Sequence, residues 1–225
     1  MACTIYKKND QKAVLGVLFD MDGVVLDTEK LYARFWREAA AALGHTMSYE
    51  QALGMRSLSS TAGQAQLERY FGKGVSRAEF RAKRIELMDA YTDVYGVDLK
   101  PGIRELLDHL QGQGIKAAIT TSSPLERVRR YLEPHGLLER FDCLCSGTEV
   151  AHGKPEPDIY LHGAACLGLQ PEDCLAIEDS PAGVLSAYRA GCMTVMVPDL
   201  DQPDAETQKR LFAKADSLKD LIKII

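Results

Sequence analysis

The chain contains 225 residues, with 27 basic and 32 acidic side chains and a net charge of −5. This length suits one sizeable core, or one core with a smaller inserted domain, and the near-balanced charge excludes a basic surface for nucleic acid. No apolar run approaches the roughly 18 residues that cross a bilayer, and the first residues, MACTIYKKNDQK, lack the apolar segment of a signal peptide. We therefore expect a cytoplasmic protein with no membrane or nucleic-acid partner, and we expect it to be a monomer.

Six cysteines are spread along the chain without the spacing of zinc ligands. Two of them, Cys143 and Cys145, alternate within a short apolar run, so they would share one face of a strand. We interpret all six as buried thiols.

The first strand is predicted over Val14 to Asp20, where the apolar run VLGVLF ends in an aspartate. Such a run suits a strand that is buried on both faces of a parallel sheet, and ligands bind at the carboxyl ends of such strands. Asp20 lies at that end, Asp22 follows two residues later, and Gly23 allows a sharp turn. Two carboxylates at this spacing can bind a hard cation such as Mg²⁺, divide into a nucleophile and a general acid, or simply form a polar turn.

The region that follows the first strand has the pattern of helices alone. Helices are predicted over about 29–43, 48–54, 60–70 and 76–95. Two of them begin with a capping box, in which Ser48 precedes Gln51 and Ser76 precedes Glu79. No buried-strand pattern interrupts them. We therefore expect an all-helical domain over 28–96, inserted into a core that is formed by 1–27 and 97–225.

Strands and helices alternate in the rest of the chain. A helix that begins at Pro101 is expected to break at Gly112 and Gly114, and residues 123–126 (SPLE) predict a helix start with both a proline and a capping box. Further strands are predicted over 115–120, 142–145, 174–177 and 193–197, with final helices near 205–212 and 218–222. This alternation predicts an α/β fold, a doubly wound, Rossmann-like parallel sheet with the helical insertion as a cap over its carboxyl edge.

Further polar residues follow the later strands: Thr121, Lys154 and the pair Glu178 and Asp179. The segments DMDGVVLDT, TTSSP, GKPEPDIY and IEDSPAG, in this order, resemble the four motifs of the haloacid dehalogenase superfamily of phosphotransferases and hydrolases. The resemblance covers nearly the whole chain, from about residue 14 to residue 198. The runs FDMDGVVLDTEKLY, HGKPEPDIYL and VMVPD are most similar to the branch with a small helical cap, which contains β-phosphoglucomutases and sugar-phosphate and pseudouridine-5'-phosphatases.

The resemblance implies phosphoryl transfer at the carboxyl edge of the sheet. Asp20 is then the nucleophile that forms an aspartyl-phosphate, and Asp22 is the general acid that protonates the leaving alkoxide and later the base that activates water. Thr121, Ser122 and Lys154 are implied to bind the phosphate. A phosphate dianion repels an attacking carboxylate, so donors and positive charge around it suit the chemistry.

Mg²⁺ is the implied cofactor. The implied metal ligands are Asp20, Asp22 through its backbone carbonyl, Asp179 and, as the next candidate, Glu178. So few protein oxygens leave room for waters and a substrate phosphate, as Mg²⁺ prefers. Mg²⁺ and Lys154 are expected to keep Asp20 ionised, whereas Asp22, beside other carboxylates, holds a proton more readily.

The resemblance also separates related activities. The 2-haloacid dehalogenases lack the second acid, so Asp22 favours phosphoryl transfer over dehalogenation. The β-phosphoglucomutases carry a cap histidine where Tyr32 stands here, and its absence favours a phosphatase. The expected function is hydrolysis of small phosphorylated metabolites, sugar- or nucleotide-type phosphomonoesters. A β-phosphoglucomutase-like phosphosugar mutase is the alternative, followed by a non-catalytic phosphate-binding regulatory protein.

Substrate contacts are expected from the helical insertion. The loop Gly54-Met55-Arg56-Ser57 joins two predicted helices, and Arg56 is a candidate for binding a substrate hydroxyl or a second phosphate. A solvated arginine is the alternative interpretation. Tyr32 is a second candidate, although aromatic residues at helical spacing more often belong to a core.

Overall fold

The structure of the chain is a computed structural model that describes residues 3–6, 13–56, 58 and 60–225. It divides into two compact units, one over Met1–Leu26 and Leu99–Ile225 and the other over Asp27–Asp98. We refer to the first as the sheet unit and to the second as the helical unit.

The sheet unit contains seven strands within the described residues. They are β1 (Cys3–Ile5), β2 (Gly16–Phe19), β3 (Lys116–Thr121), β4 (Cys143–Ser146), β5 (Cys174–Glu178), β6 (Met193–Met196) and β7 (Ala213–Ala215). Their order across the sheet is β1-β7-β6-β5-β2-β3-β4, and the neighbouring pairs are parallel except β1 with β7. The predicted α/β fold with a doubly wound, Rossmann-like sheet is confirmed.

The register of the central strands brings their carboxyl ends to one edge. Phe19 on β2 pairs with Ile119 on β3 and with Ile177 on β5, and all three side chains are fully buried. The strand order reverses beside β2, which is where open α/β sheets form a crevice for ligands. Residues that follow these three strands therefore meet in one place.

The helical unit has its own apolar core. Its helices are α1 (Glu29–Ala42), α2 (Tyr49–Leu53), α3 (Ser60–Phe71) and α4 (Arg77–Tyr95). Ala33, Trp36, Met47, Leu67 and Phe80 are among the buried residues that form this core. Because these side chains pack on one another, the helices form a compact body of their own.

Two predicted caps of the helical unit are observed. The capping box of α2 is complete, since the Ser48 hydroxyl accepts from the Gln51 N–H and the Gln51 side chain accepts from the Ser48 N–H. At α4, the Ser76 hydroxyl accepts from the Glu79 N–H. These bonds satisfy N–H groups that the first turn of a helix leaves without a partner.

Helices flank the sheet. They are α5 (Ile103–Gln113), α6 (Leu125–Leu132), α7 (Asp158–Leu167), α8 (Pro181–Ala190), α9 (Ala205–Gln208) and α10 (Leu218–Leu221). α7 packs on β3 and β4, and a Cβ at Gly163 would lie 2.5 Å from the Thr120 methyl group. The glycine thus allows the close contact that fixes the loop preceding α7 beside the sheet edge.

Two predicted features of the helices are wrong. α5 continues through Gly112 to Gln113 and ends at Gly114, where φ is 70°. A single glycine in a helix costs only about 1 kcal/mol, so Gly112 does not break it. α6 begins after Pro124 without a side-chain cap, because the Ser123 hydroxyl donates to Asp22 instead.

The carboxyl-terminal region also differs from the prediction. The helix expected over 205–212 ends at Gln208, and the missed strand β7 pairs with β6 and with β1. Strands of three residues carry no clear periodic signal, and their pairing depends on segments far away in the sequence.

The interpretation of all six cysteines as buried thiols is wrong for three of them, because two form a disulfide and Cys3 is only half-buried. Cys143 on β4 and Cys166 on α7 form a disulfide, with Cα atoms 6.3 Å apart. The other four are free thiols, of which Cys145, Cys174 and Cys192 are buried and Cys3 is half-buried. The disulfide joins a strand and a helix that become neighbours only in the folded chain, so their sequence spacing did not predict it.

Within the described part of the chain, no helix combines the length and the apolar character needed to cross a membrane.

Candidate active site

The candidate site lies at the carboxyl edge of the central strands. Asp20 follows β2, Thr121 ends β3, and Glu178 ends β5 with Asp179 next in the chain. Lys154 belongs to the loop between β4 and α7. Parallel strands place all of these residues at the same edge of the sheet unit.

Lys154 joins two of these strand ends. Its Nζ donates to Oδ1 of Asp20 across 2.6 Å and to Oε1 of Glu178 across 2.6 Å. The side chains are nearly buried, with exposures of 10% for Lys154, 10% for Asp20 and 1% for Glu178. An unpaired charge at such a depth would cost several kcal/mol, so each group depends on the other two.

Protein donors hold both carboxylate oxygens of Glu178. Oε1 also accepts from the Tyr160 hydroxyl, and Oε2 accepts from the Ser180 hydroxyl across 3.3 Å. A Cβ at Gly183 would lie 1.9 Å from the Glu178 carboxyl carbon, so any side chain there would force Glu178 or the first turn of α8 to move. These contacts fix the orientation of the carboxylate that holds Lys154.

A second set of contacts surrounds Asp22. The Ser123 hydroxyl donates to Oδ2 of Asp22 across 3.1 Å, and the Ser123 N–H donates to the Thr121 hydroxyl oxygen across 3.1 Å. Thr121 is buried and keeps its hydroxyl proton for donation, while Ser122 is exposed at the start of the following turn. The polar residues that follow β3 are therefore linked to the second aspartate.

Asp179 lies against the turn after β2. A Cβ at Gly23 would lie 2.3 Å from Oδ2 of Asp179, and Gly23 has a φ of 82°. Glycine is required at this position both for the backbone conformation and for the close approach. Carboxylate oxygens of Asp20, Glu178 and Asp179 lie within 4.8 Å of one another.

Burial shifts the protonation of the cluster. Burial raises the pKa of Asp20 to about 8, with Lys154 acting in the opposite direction and Glu178 and Asp22 adding to the rise. Burial disfavours the Lys154 ammonium, yet Asp20 and Glu178 raise its pKa well above the usual value. Lys154 therefore stays protonated but does not by itself keep Asp20 ionised at neutral pH. The expectation that Mg²⁺ and Lys154 together keep Asp20 ionised stays a prediction.

The donor set fits a hard divalent cation. Lys154 contacts two of the three buried carboxylates, those of Asp20 and Glu178, and oxygen ligands of this kind suit Mg²⁺. Both oxygens of Glu178 accept hydrogen bonds from the protein. The protein thus already holds the Glu178 carboxylate at both of its oxygens.

The two candidates in the helical unit have defined partners there. Nε of Arg56 donates to Oε2 of Glu29 across 2.5 Å, and the side chains are only 8% and 13% exposed. Arg56 is thus not a solvated arginine. The guanidinium of Arg84 lies 4.6 Å from the ring centroid of Tyr32, as a cation–π pair.

The sequence did not identify four residues that shape the site. Tyr160, Ser180 and Gly183 contact or approach Glu178, and Ser123 contacts Asp22. Tyr160 lies in the segment GKPEPDIY and Gly183 in the segment IEDSPAG. These motifs indicated that the two residues lie near the site but did not indicate that they approach Glu178. The local sequence pattern predicts a helix cap at Ser123, because that pattern fits a cap as well as it fits a partner of Asp22.

The fold and the carboxylate–lysine cluster together define an α/β enzyme with a catalytic edge. A model of the haloacid dehalogenase-like hydrolase family matches residues 14–191. The chain belongs to this family of hydrolases.

Individual relatives agree with this assignment. The chain is 37% identical to hexitol phosphatase A of Escherichia coli K12, over 81% of this chain and 82% of the relative. It is 31% identical to β-phosphoglucomutase of Bacillus subtilis, over 80% of this chain and 82% of the relative. Among solved structures, CbbY of Rhodobacter sphaeroides in complex with phosphate superposes with a TM-score of 0.75 at 26% identity, covering 92% of this chain and 96% of CbbY.

Proposed function

We propose that this protein is a Mg²⁺-dependent phosphatase of small phosphorylated metabolites that acts through an aspartyl-phosphate on Asp20. The observation that carries the proposal is the contact of Lys154 with both Asp20 and Glu178, beside Asp179. This contact gathers buried positive and negative groups from three chain segments at one sheet edge. The proposal is further supported by hexitol phosphatase A, whose name states that it acts on hexitol phosphates.

The proposed reaction has two steps. An Oδ of Asp20 attacks the phosphorus of the phosphomonoester, the bond to the ester oxygen breaks, and the leaving oxygen takes a proton from Asp22. Asp22, now ionised, then takes a proton from a water molecule whose oxygen attacks the phosphorus of the aspartyl-phosphate. The bond from phosphorus to Asp20 breaks, which releases phosphate and restores the aspartate.

The surrounding residues support these steps. The Ser123 hydroxyl fixes one oxygen of Asp22 and so orients the carboxyl group that transfers the proton. Lys154 and the Thr121 hydroxyl bind phosphate oxygens, as does the exposed Ser122. These groups stabilise negative charge that grows during the transfer, and existing hydrogen bonds already hold Lys154 and Thr121 before the substrate binds.

Mg²⁺, when bound, offsets the repulsion between the phosphate dianion and the carboxylates. In this proposal Asp20 and Asp179 hold it with their side chains, and Asp22 does so with its backbone carbonyl. Glu178 has a different role, because Lys154, Tyr160 and Ser180 hold its oxygens. It would position Lys154, which donates to it.

We further propose that residues 28–96 act as the cap, with Arg56 and Tyr32 as substrate contacts. The ion pair of Arg56 with Glu29 pre-orients the guanidinium, which suits recognition of a hydroxyl or a second phosphate. Specificity for a sugar- or nucleotide-type phosphomonoester depends on these side chains. The cytoplasmic location and the monomeric state stay predictions.

A mutase is the second candidate, because β-phosphoglucomutase of Bacillus subtilis is among the relatives. Its activity would conserve phosphate between substrate and product and would need a bisphosphate activator. Tyr32, at the position where the resemblance implies a histidine in mutases, favours the phosphatase.

A panel of phosphorylated metabolites tests the proposal. We expect the wild-type protein to release inorganic phosphate from at least one sugar or nucleotide monophosphate with Mg²⁺, and to lose this activity with a chelator. Asp20→Asn should reduce turnover by at least about 10³-fold. No release from any panel member would contradict the phosphatase, and isomerised sugar phosphate without free phosphate would favour the mutase.

A further inference from the structure

A group of three cysteines lies away from the carboxylate cluster. Cys143 and Cys145 are two residues apart on β4 and point to the same face, and Cys166 lies on α7, which packs on that face. The three sulfur atoms lie within 4.8 Å of one another. Cys143 and Cys166 are bonded to each other and the Cys145 sulfur lies beside them, so reduction of the disulfide would leave three thiols in one place.

The geometry suits a metal that prefers sulfur. Zn²⁺ binds thiolates at about 2.3 Å, so two sulfurs of a tetrahedral site are about 3.8 Å apart. All three sulfur atoms lie within 4.8 Å of one another, and after reduction the Cys143 and Cys166 sulfurs must move apart to reach this separation. Cys145 belongs to the apolar core of the sheet unit, and Cys143 packs against that core. A soft cation with sulfur ligands fits this environment better than a hard one.

The cluster is open to solvent on one side. Cys145 is fully buried, Cys143 is half-buried and Cys166 is exposed. The exposed side allows a reductant to reach the disulfide and a water molecule to complete a four-coordinate site. We propose that, once the Cys143–Cys166 bond is reduced, Cys143, Cys145 and Cys166 form a three-thiolate site for a thiophilic divalent cation of the Zn²⁺ class.

The chemistry requires a reductant of the dithiol class. The dithiol gives two electrons and two protons to the Cys143–Cys166 bond, which yields two protein thiols, and it is itself oxidised to a disulfide. The cation then replaces the thiol protons, which pass to solvent.

The site would link β4 to α7, the strand and the helix on either side of the loop that carries Lys154. Cys143 precedes this loop and Cys166 follows it, 23 residues apart in the sequence. The disulfide closes this segment covalently, and a bound cation would close it in the reduced protein. A bound cation would thus hold β4 and α7 together in the reduced protein, as the disulfide does in the oxidised protein.

Cadmium tests the proposal, because Cd²⁺–thiolate bonds give an ultraviolet charge-transfer absorption that carboxylate ligands do not. The full-length protein is reduced, freed of reductant without oxygen, and titrated with Cd²⁺ in excess Mg²⁺. We expect the absorption to saturate at one equivalent, and Zn²⁺ to compete for the site. In the oxidised protein the absorption should be absent, since two of the ligands are then bonded to each other.

Variants locate the ligands. Cys166→Ser changes an exposed residue, so it should fold as the wild type does and lose at least about 10-fold in Cd²⁺ affinity. Cys3→Ser and Cys174→Ser are the matched controls and should titrate as the wild type does. Zn²⁺ should also raise the melting temperature of the reduced wild type but not of Cys166→Ser. Absence of the absorption in the reduced wild type, or an unchanged titration of Cys166→Ser, would overturn the proposal.

Discussion

The ammonium of Lys154 donates to Oδ1 of Asp20 across 2.6 Å, although 134 residues separate them in the chain. The contact exists because Asp20 leaves β2 and Lys154 follows β4 at the same edge of a parallel sheet. Both side chains are nearly buried, so the pair is held in a region where charges interact strongly.

Asp22→Ala should reduce activity in a way that depends on the leaving group. We expect a loss of about 10²–10⁴-fold for a sugar phosphate, because its alkoxide needs a proton as it leaves. The loss should be smaller for nitrophenyl phosphate, since nitrophenolate leaves readily without one. Steady-state kinetics with both substrates measures the difference, and equal losses would remove Asp22 from the role of general acid.

Asp20 should make the stability of the metal-free protein depend on pH. Its pKa rises from 3.8 to about 8 on folding, so the folded state binds more protons than the unfolded state between these values. The free energy of unfolding should therefore fall as pH rises through this window. Urea unfolding in the presence of a chelator gives the free energy of unfolding of the wild type and of Asp20→Asn at each pH. The difference between the two free energies measures the contribution of Asp20.

In that comparison the wild type should lose stability relative to Asp20→Asn as pH increases. Saturating Mg²⁺ should restore stability to the wild type above neutral pH, because the cation favours the ionised carboxylate. If plots of the free energy of unfolding against pH were parallel for the two proteins, with and without Mg²⁺, the Asp20 carboxyl would not be buried as described.

Gly183→Ala should disturb the site through sterics alone. The added Cβ would lie 1.9 Å from the carboxyl carbon of Glu178, so Glu178 or the first turn of α8 must move. We expect a lower free energy of unfolding, by about 1–3 kcal/mol, together with reduced turnover.

Gly112→Ala is its matched control, because Gly112 is also helical but has no atom within 4 Å of the added Cβ. This change should leave activity intact and raise stability by up to about 1 kcal/mol. Denaturation and kinetics on both variants check the pair. If the two alanines behaved alike, the close approach of α8 to Glu178 would not be real.

Tyr160→Phe should weaken the support of Glu178 without creating a cavity. It removes one hydroxyl that donates to a buried carboxylate, which costs about 1.5–3 kcal/mol for a bond to a charged group. Tyr49→Phe, on an exposed tyrosine, should stay within about 0.5 kcal/mol of the wild type. Urea unfolding at neutral pH compares them, and a fully stable Tyr160→Phe would mean that the hydroxyl has no structural role.

The central strands of the sheet could be predicted from the sequence, because each has a local pattern of apolar residues that is typical of a buried strand. The apolar runs before Asp20 and Glu178 indicated buried strands, and buried strands of a parallel sheet end at one edge. The short strands β1 and β7 were missed, since three residues give no period and each depends on a distant partner. The prediction that Gly112 breaks the helix was wrong, because the free-energy cost of one glycine is small compared with the stability that the rest of α5 provides.

The polar contacts were less accessible to sequence reasoning than the strands. Ser123 fits both a helix cap and a partner of Asp22, and only the fold shows which contact forms. Tyr160 reaches Glu178 across 18 residues of sequence, and Cys143 reaches Cys166 across 23. Such pairs form where helices pack on strands. The sequence around one residue therefore does not identify its partner.

The most direct test of the central claim is to trap the covalent intermediate. The protein is mixed with a substrate found by the metabolite panel in the presence of Mg²⁺, quenched within one turnover, and treated with borohydride, which reduces an acyl phosphate to an alcohol. Peptide mass spectrometry should find the reduced side chain at Asp20 and nowhere else, and Asp22→Ala, which still carries the nucleophile, should yield it with a nitrophenyl phosphate substrate. Turnover without any modification of Asp20, or modification of another carboxylate, would contradict the account.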